Sequence, residues 1–168
     1  ADLARLQIDG NGTFNIPELT TKRIFSTSSG TIVSASGPLT ITEELQVDSG
    51  TTFNANTNTI SCKQVDVNGT GTLDLRNSTL NFYTGASDVW AMTSTSTLTT
   101  GNTTVTGDST KTPTNIPESA GGGFEIVGDV SNLDVTGDLT VIGSVTNCIG
   151  NIRQFFHTLD TQQLLDAD

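Results

Sequence analysis

The chain has little of what catalysis usually recruits: 168 residues hold one His, one Trp, one Tyr, one Met and two Cys. Two cysteines, Cys62 and Cys148, cannot form a disulfide framework, and they are expected to be free and structural. Lysine and arginine number 7 against 18 acids, a net charge of −11, so the clustered basic footprint of a nucleic-acid binder is missing. No apolar run approaches the roughly 20 residues that span a bilayer, which predicts no membrane insertion. No charged and apolar leader is legible before Leu3. Leu, Ala, Glu and Lys are too sparse for a helical bundle.

In their place the chain is rich in Thr (31), Gly (17), Ser (15) and Asn (13). Such a composition would allow disorder. Two features oppose it: threonine is β-branched and suits strands, and the apolar residues are ordered. They recur as pairs flanking one polar residue: Leu39/Ile41, Leu45/Val47, Ile60/Cys62, Val65/Val67, Leu73/Leu75 and Leu80/Phe82, with Phe53 alone where a further pair belongs. That alternation is the period-2 signature of a strand with one buried face. Between the pairs lie turn residues, as in Asp48-Ser49-Gly50 and Asn68-Gly69-Thr70-Gly71.

Every third pair returns after about 20 residues: 39 to 60, 45 to 65, 53 to 73, 60 to 80. Three very short strands per period predict a three-sided parallel β-solenoid, in which stacked turns build one continuous core. An antiparallel sandwich is the competing all-β reading, but its strands are usually longer, about 5–6 residues. The fold class expected is therefore all-β, a solenoid over 36–112. Residues 1–35 read as a first turn or cap, and the Pro/Gly-rich 113–123 as a hinge. Over 124–150, Leu133, Leu139 and Val145 start six residues apart, which fits a tightly wound β-helix or a multichain fibre. Ile152, Phe155, Phe156, Leu159 and Leu164 have helical spacing, so 151–168 is expected to be a short amphipathic helix.

Candidate chemistry is thin. A glycan-cleaving solenoid needs paired carboxylates or an acid beside a base. The glutamates are Glu18, Glu43, Glu44, Glu118 and Glu125, and Asp66, Asp74, Asp134 and Asp138 sit at strand or turn positions. Residues about 20 apart pair Glu43 with Cys62 or Lys63 and Asp48 with Asn68, so none stacks two acids. Asp66 and Asp74 are expected to point to solvent from different faces. Asp9-Gly10-Asn11-Gly12 and Asp66-Val67-Asn68-Gly69 begin like calcium loops, but the twelfth positions are Thr20 and Asn77 instead of Glu. His157 has no second ligand at metal spacing. Trp90, beside Val89 and Met92, reads as a core residue in preference to a sugar platform. The glycosylation sequons at Asn11, Asn68, Asn77 and Asn102 are expected by chance at this composition. No catalytic, cofactor-binding or metal residue is assigned, and no cofactor is expected.

The stretch Leu133-Asp134-Val135-Thr136-Gly137-Asp138-Leu139-Thr140-Val141-Ile142-Gly143-Ser144-Val145 resembles the repeats of bacteriophage tail-fibre and other virion appendage proteins. Asn68–Leu75 and Asn102–Gly107 resemble their Thr/Gly/Asn-rich solenoids. The resemblance implies a virion-surface location, a homotrimer, contact with other virion proteins or host-surface glycans, and a non-enzymatic role in attachment or decoration. A bacterial surface adhesin or matrix protein, and a β-helical polysaccharide lyase or hydrolase, are the alternatives.

Overall fold

A computed structural model describes residues 4–82, 90–107, 114–116 and 124–155. The chain winds as a three-sided parallel β-solenoid. The first face stacks Leu6–Ile8, residues 24–26, 45–47 and 65–67, and Trp90–Met92. The second stacks Gly12–Ile16, Thr31–Ala35, Thr52–Asn54, Thr72–Asp74 and Thr97–Thr99. The third stacks residues 19–21, 39–41 and 60–62, then Thr79–Phe82, Thr103–Gly107, residues 128–131 and Val145–Thr146. The long strands Leu19–Ser26, Leu39–Val47 and Thr59–Val67 carry the third face of one rung and the first face of the next. The first two change register with their upper neighbours where they turn the corner, as bulges do.

The sequence registers hold residue by residue: Leu39 stacks on Ile60, Leu45 on Val65, Phe53 on Leu73 and Ile60 on Leu80. All seven of these side chains are buried, as is Cys62. Burial pushes the Cys62 thiol far above its ordinary range. Trp90 lies in the same core, its ring 5.8 Å from that of Phe82. A core continuous from rung to rung is what lets strands of three residues persist, because none could bury its own face alone.

Turn chemistry closes the corners. The Thr31 and Thr51 amides donate to the carbonyls of Ser28 and Asp48, three residues back, and their buried hydroxyls donate to the same carbonyls at 2.6 and 2.7 Å. At another corner Asn77 and Asn102 hold positive φ (54° and 50°), a conformation asparagine tolerates. They stack with an amide contact of 3.4 Å.

The rungs change length along the stack. Leu6, Ile24, Leu45, Val65 and Trp90 are consecutive on the first face, at offsets of 18, 21, 20 and 25 residues. On the third face Val105 stacks on Val130, but Val130 stacks on Val145 after only 15 residues. The six-residue spacing of Leu133, Leu139 and Val145 is thus one step per face within one tight rung, and this region pairs within a single chain. The N-terminal strands Leu6–Ile8 and Gly12–Ile16 form the first rung. Within 113–123, Thr114–Ile116 is a strand beside Leu133–Val135, and the remaining residues lie outside the described ones.

One expectation is corrected. Ile149–Phe155 is a strand paired in parallel with Leu133–Ile142, so the described part of 151–168 is not helical. The open edge of the preceding rung offers backbone partners, and of this strand only Ile152 packs on the core. Residues 156–168, with Phe156 and His157, lie outside the described residues. Among the described residues no helix is long and apolar enough to cross a membrane.

Candidate functional site

The outward side of the first face carries the densest chemistry. Arg5, Gln7 and Asp9 run in a row on the first strand: Arg5 donates to Gln7 at 2.7 Å, and Gln7 to Asp9 at 2.8 Å. The Arg5 guanidinium lies 4.6 Å from the centre of the Phe25 ring, one rung on, a cation–π contact. Gln46 donates to Asp48 at 2.7 Å, and Gln64 donates to Asp66 at 3.3 Å. Asn68 donates to Asp48 across the rungs at 3.3 Å, the stacking expected from their spacing. Arg23 donates to Glu43 at 2.8 Å and lies 3.6 Å from Glu44.

Within this ladder two carboxyls meet. Asp66 raises the pKa of the Glu44 carboxyl. Glu44 stands opposite Gln64, and Asp66 is two residues further along that strand, a diagonal neighbour on the same face. Comparing only residues one period apart missed this pair. The readable signal was Gln64 facing Glu44, with Asp66 two places on along the same outward row.

Burial is the largest influence on Glu44 and pushes its carboxyl up, followed by Asp66 with its negative charge. Arg23 opposes them, and the result is a value of about 7. A carboxyl of this kind holds a proton near neutrality.

The sign of the pH dependence follows. Between the ordinary value of 4.5 and about 7 the folded chain binds a proton at Glu44 that the unfolded chain has released. The stability this gives is complete below pH 4.5 and is lost as pH rises through about 7. Glu44→Gln keeps a neutral side chain there without the titration. It is expected to match the parent at pH 5 and to exceed it at pH 8 by on the order of 1–2 kcal/mol. Thermal unfolding at the two pH values checks this, and equal melting temperatures at pH 8 would contradict it.

Asp74 departs from its expected solvated position. It lies on a different face from Asp66, as foreseen, but is buried, because Arg76 folds over it with its Nε 2.9 Å from the carboxylate. The hydrogen bond from Arg76 holds the Asp74 carboxyl below its usual range. Its task is to bind the corner, since it also accepts the Arg76 backbone amide at 3.1 Å. Asp9 accepts from Gln7 and Thr27, as an ordinary turn residue would. Among the described residues no group of three or more His, Cys, Asp or Glu could hold a metal.

Described residues line several cavities, among them the following three. One of about 330 Å³ lies at the N-terminal end, one of about 390 Å³ is lined by Gly150, Asn151, Ile152 and Arg153, and one of about 290 Å³ lies where the 25-residue and 15-residue rungs meet. None of the three is lined by Glu44 or Asp66. Compared with known proteins, the chain matches no family model, no curated protein and no solved structure.

Proposed function

We propose that this chain is a non-enzymatic structural module, a short stiff solenoid of a virion appendage or decoration protein that serves assembly or host-surface attachment. The observation that carries this reading is the continuity of the stack. One dry core runs from rung to rung, and outward side chains bond along the axis as well as within strands, as between Ser49 and Thr70 at 3.0 Å. Such a body holds its outer faces rigid, and a rigid face displayed in many copies gains avidity without a deep pocket. The resemblance of 133–145 to virion appendage repeats supports the location. Because the rungs pair within one chain, partner strands are not needed along its length. Oligomers, the resemblance-implied trimer included, would use outer faces or ends.

The Glu44–Asp66 pair favours a second reading, a polysaccharide-cleaving enzyme, since a protonated acid beside a carboxylate is what glycoside hydrolysis uses. Neither carboxyl lines any of the three cavities described above, so no groove for a glycan adjoins the pair, which is why the structural reading is preferred.

Immunogold labelling of virions and cells from the natural source tests the location, with label expected on the virion surface. Label on the cell wall alone would replace the reading with an adhesin. Turnover of any polysaccharide by the purified chain, lost in both Glu44→Gln and Asp66→Asn, would replace it with an enzyme.

A further inference from the structure

The cavity of about 290 Å³ lies within the stack, where the 25-residue rung gives way to the 15-residue one. Strand pairing sets Thr104 beside Asp129 and Val127 beside Ile142. These four side chains line it together with Asn102 and the backbone of Gly128 and Gly143. One wall is thus aliphatic, made by half-buried Val127 and Ile142, and another is polar, made by Asn102, Thr104 and Asp129.

The polar wall has bonding capacity to spare. Asp129 Oδ1 accepts the Ser144 amide at 2.9 Å, and Oδ2 accepts nothing from the described residues. The Thr104 hydroxyl has no hydrogen-bond partner among the described residues. Asn102 spends one N–H on its 3.4 Å contact with Asn77 and keeps the other, with its carbonyl oxygen.

These groups select the ligand by elimination. No Lys or Arg lines the cavity, and its one charge is negative, so phosphates and carboxylates are repelled. A single carboxylate falls short of the 6–8 oxygens that a calcium ion takes. A wholly apolar ligand would leave Asn102, Thr104 and Asp129 unpaired. An ammonium donates to Asp129 but accepts nothing from the Asn102 amide. A hydroxyl does both. The volume is at the lower end of the roughly 300–1,000 Å³ of small-molecule sites, so it suits one ring in preference to a nucleotide. A compact ring with several hydroxyls and an aliphatic face is a sugar.

We propose that this junction binds one neutral pyranose unit of a glycan, with its hydroxyls on Asn102, Thr104 and Asp129 and its C–H face against Val127 and Ile142. As the point of contact with a host surface the site rests on the attachment reading; as a sugar site it does not. One shallow unit binds weakly, and many rigidly displayed copies supply the avidity.

The test is a nuclear magnetic resonance titration of the isotope-labelled 168-residue chain with D-glucose, D-galactose, D-mannose and N-acetyl-D-glucosamine in turn. At least one is expected to shift the amides of residues 102–104, 127–129 and 142–143 and to saturate at about millimolar concentration. T104V removes a hydroxyl, and D129N keeps an acceptor for the Ser144 amide while losing the charge. Each is expected to weaken binding about two- to tenfold with an unchanged melting temperature. T20V, outward on the same face but away from the cavity, is expected to bind like the parent. No shift at these amides up to about 0.1 M of any of the four sugars overturns the proposal. So does equal affinity in the parent, T104V and D129N. A failed titration together with label on the virion surface removes the sugar site alone, whereas a successful one with label elsewhere upholds the sugar site and removes the attachment reading.

Discussion

Replacing Gly128 with alanine is expected to destabilise the chain by about 2–5 kcal/mol, a large part of the 5–15 kcal/mol that domains typically possess. The tight rungs begin at this residue. Its φ is +147°, and a Cβ built there would lie 1.8 Å from the Thr103 carbonyl oxygen and 2.5 Å from the Thr103 nitrogen. Both obstacles are backbone in the rung beneath, so no side-chain rotation relieves them. Gly143 repeats the arrangement one rung later, its added Cβ falling 2.0 Å from the Gly128 oxygen. Gly101→Ala is the control: its Cβ would meet nothing closer than the Arg76 side chain at 3.7 Å, and the expected change is within about 0.5 kcal/mol. Urea midpoints for the two variants and the parent measure the difference. A Gly128→Ala midpoint equal to the parent's would contradict the close packing of Thr103 on Gly128.

Phe53→Ala is expected to cost about 3–5 kcal/mol. Phe53 is 1% exposed and alone fills the inward centre of its strand, between Val33 below and Leu73 above. Neither neighbour can move into the space, because each is held in its own rung by strand pairing on both sides. Stability in a stacked repeat is a sum of rungs and nearest-neighbour interfaces, so a cavity here weakens two interfaces at once. Protection against hydrogen exchange is therefore expected to fall first at residues 31–35, 52–54 and 72–74. Thr52→Ala, on the outward side of the same strand, is expected to change little. Uniform loss of protection throughout the chain would contradict the nearest-neighbour picture.

Much of this architecture was legible because one physical constraint repeats. A strand with a buried face must alternate, and a stack must return to the same inward type at each rung. The pairs Leu39/Ile41 and Ile60/Cys62 satisfy both conditions, and their register is read directly from the spacing. The C-terminal strand was misread because Ile152, Phe155 and Phe156 mimic helical spacing. Ile149–Phe155 is instead fixed by an open sheet edge, a tertiary partner that propensity does not contain. Asp74 was misplaced for a similar reason. Its alternation does put it outward, but Arg76 two residues on covers it. The Glu44–Asp66 pair escaped notice because contacts between rungs run diagonally as well as straight.

The central claim is that outward residues one period apart lie one strand spacing apart along a single axis. Spin labels at positions 13 and 97 test it most directly, in a Cys148→Ser background with Cys62 shielded in the core. Both sites are exposed and lie in one column, Thr13, Ile32, Thr52, Thr72, Thr97, four steps from end to end. At about 4.8 Å per step, a narrow distribution centred near about 19 Å between backbones is expected, broadened only by the label linkers. A centre beyond about 30 Å would mean that these strands do not stack in parallel, and the solenoid would have to be abandoned.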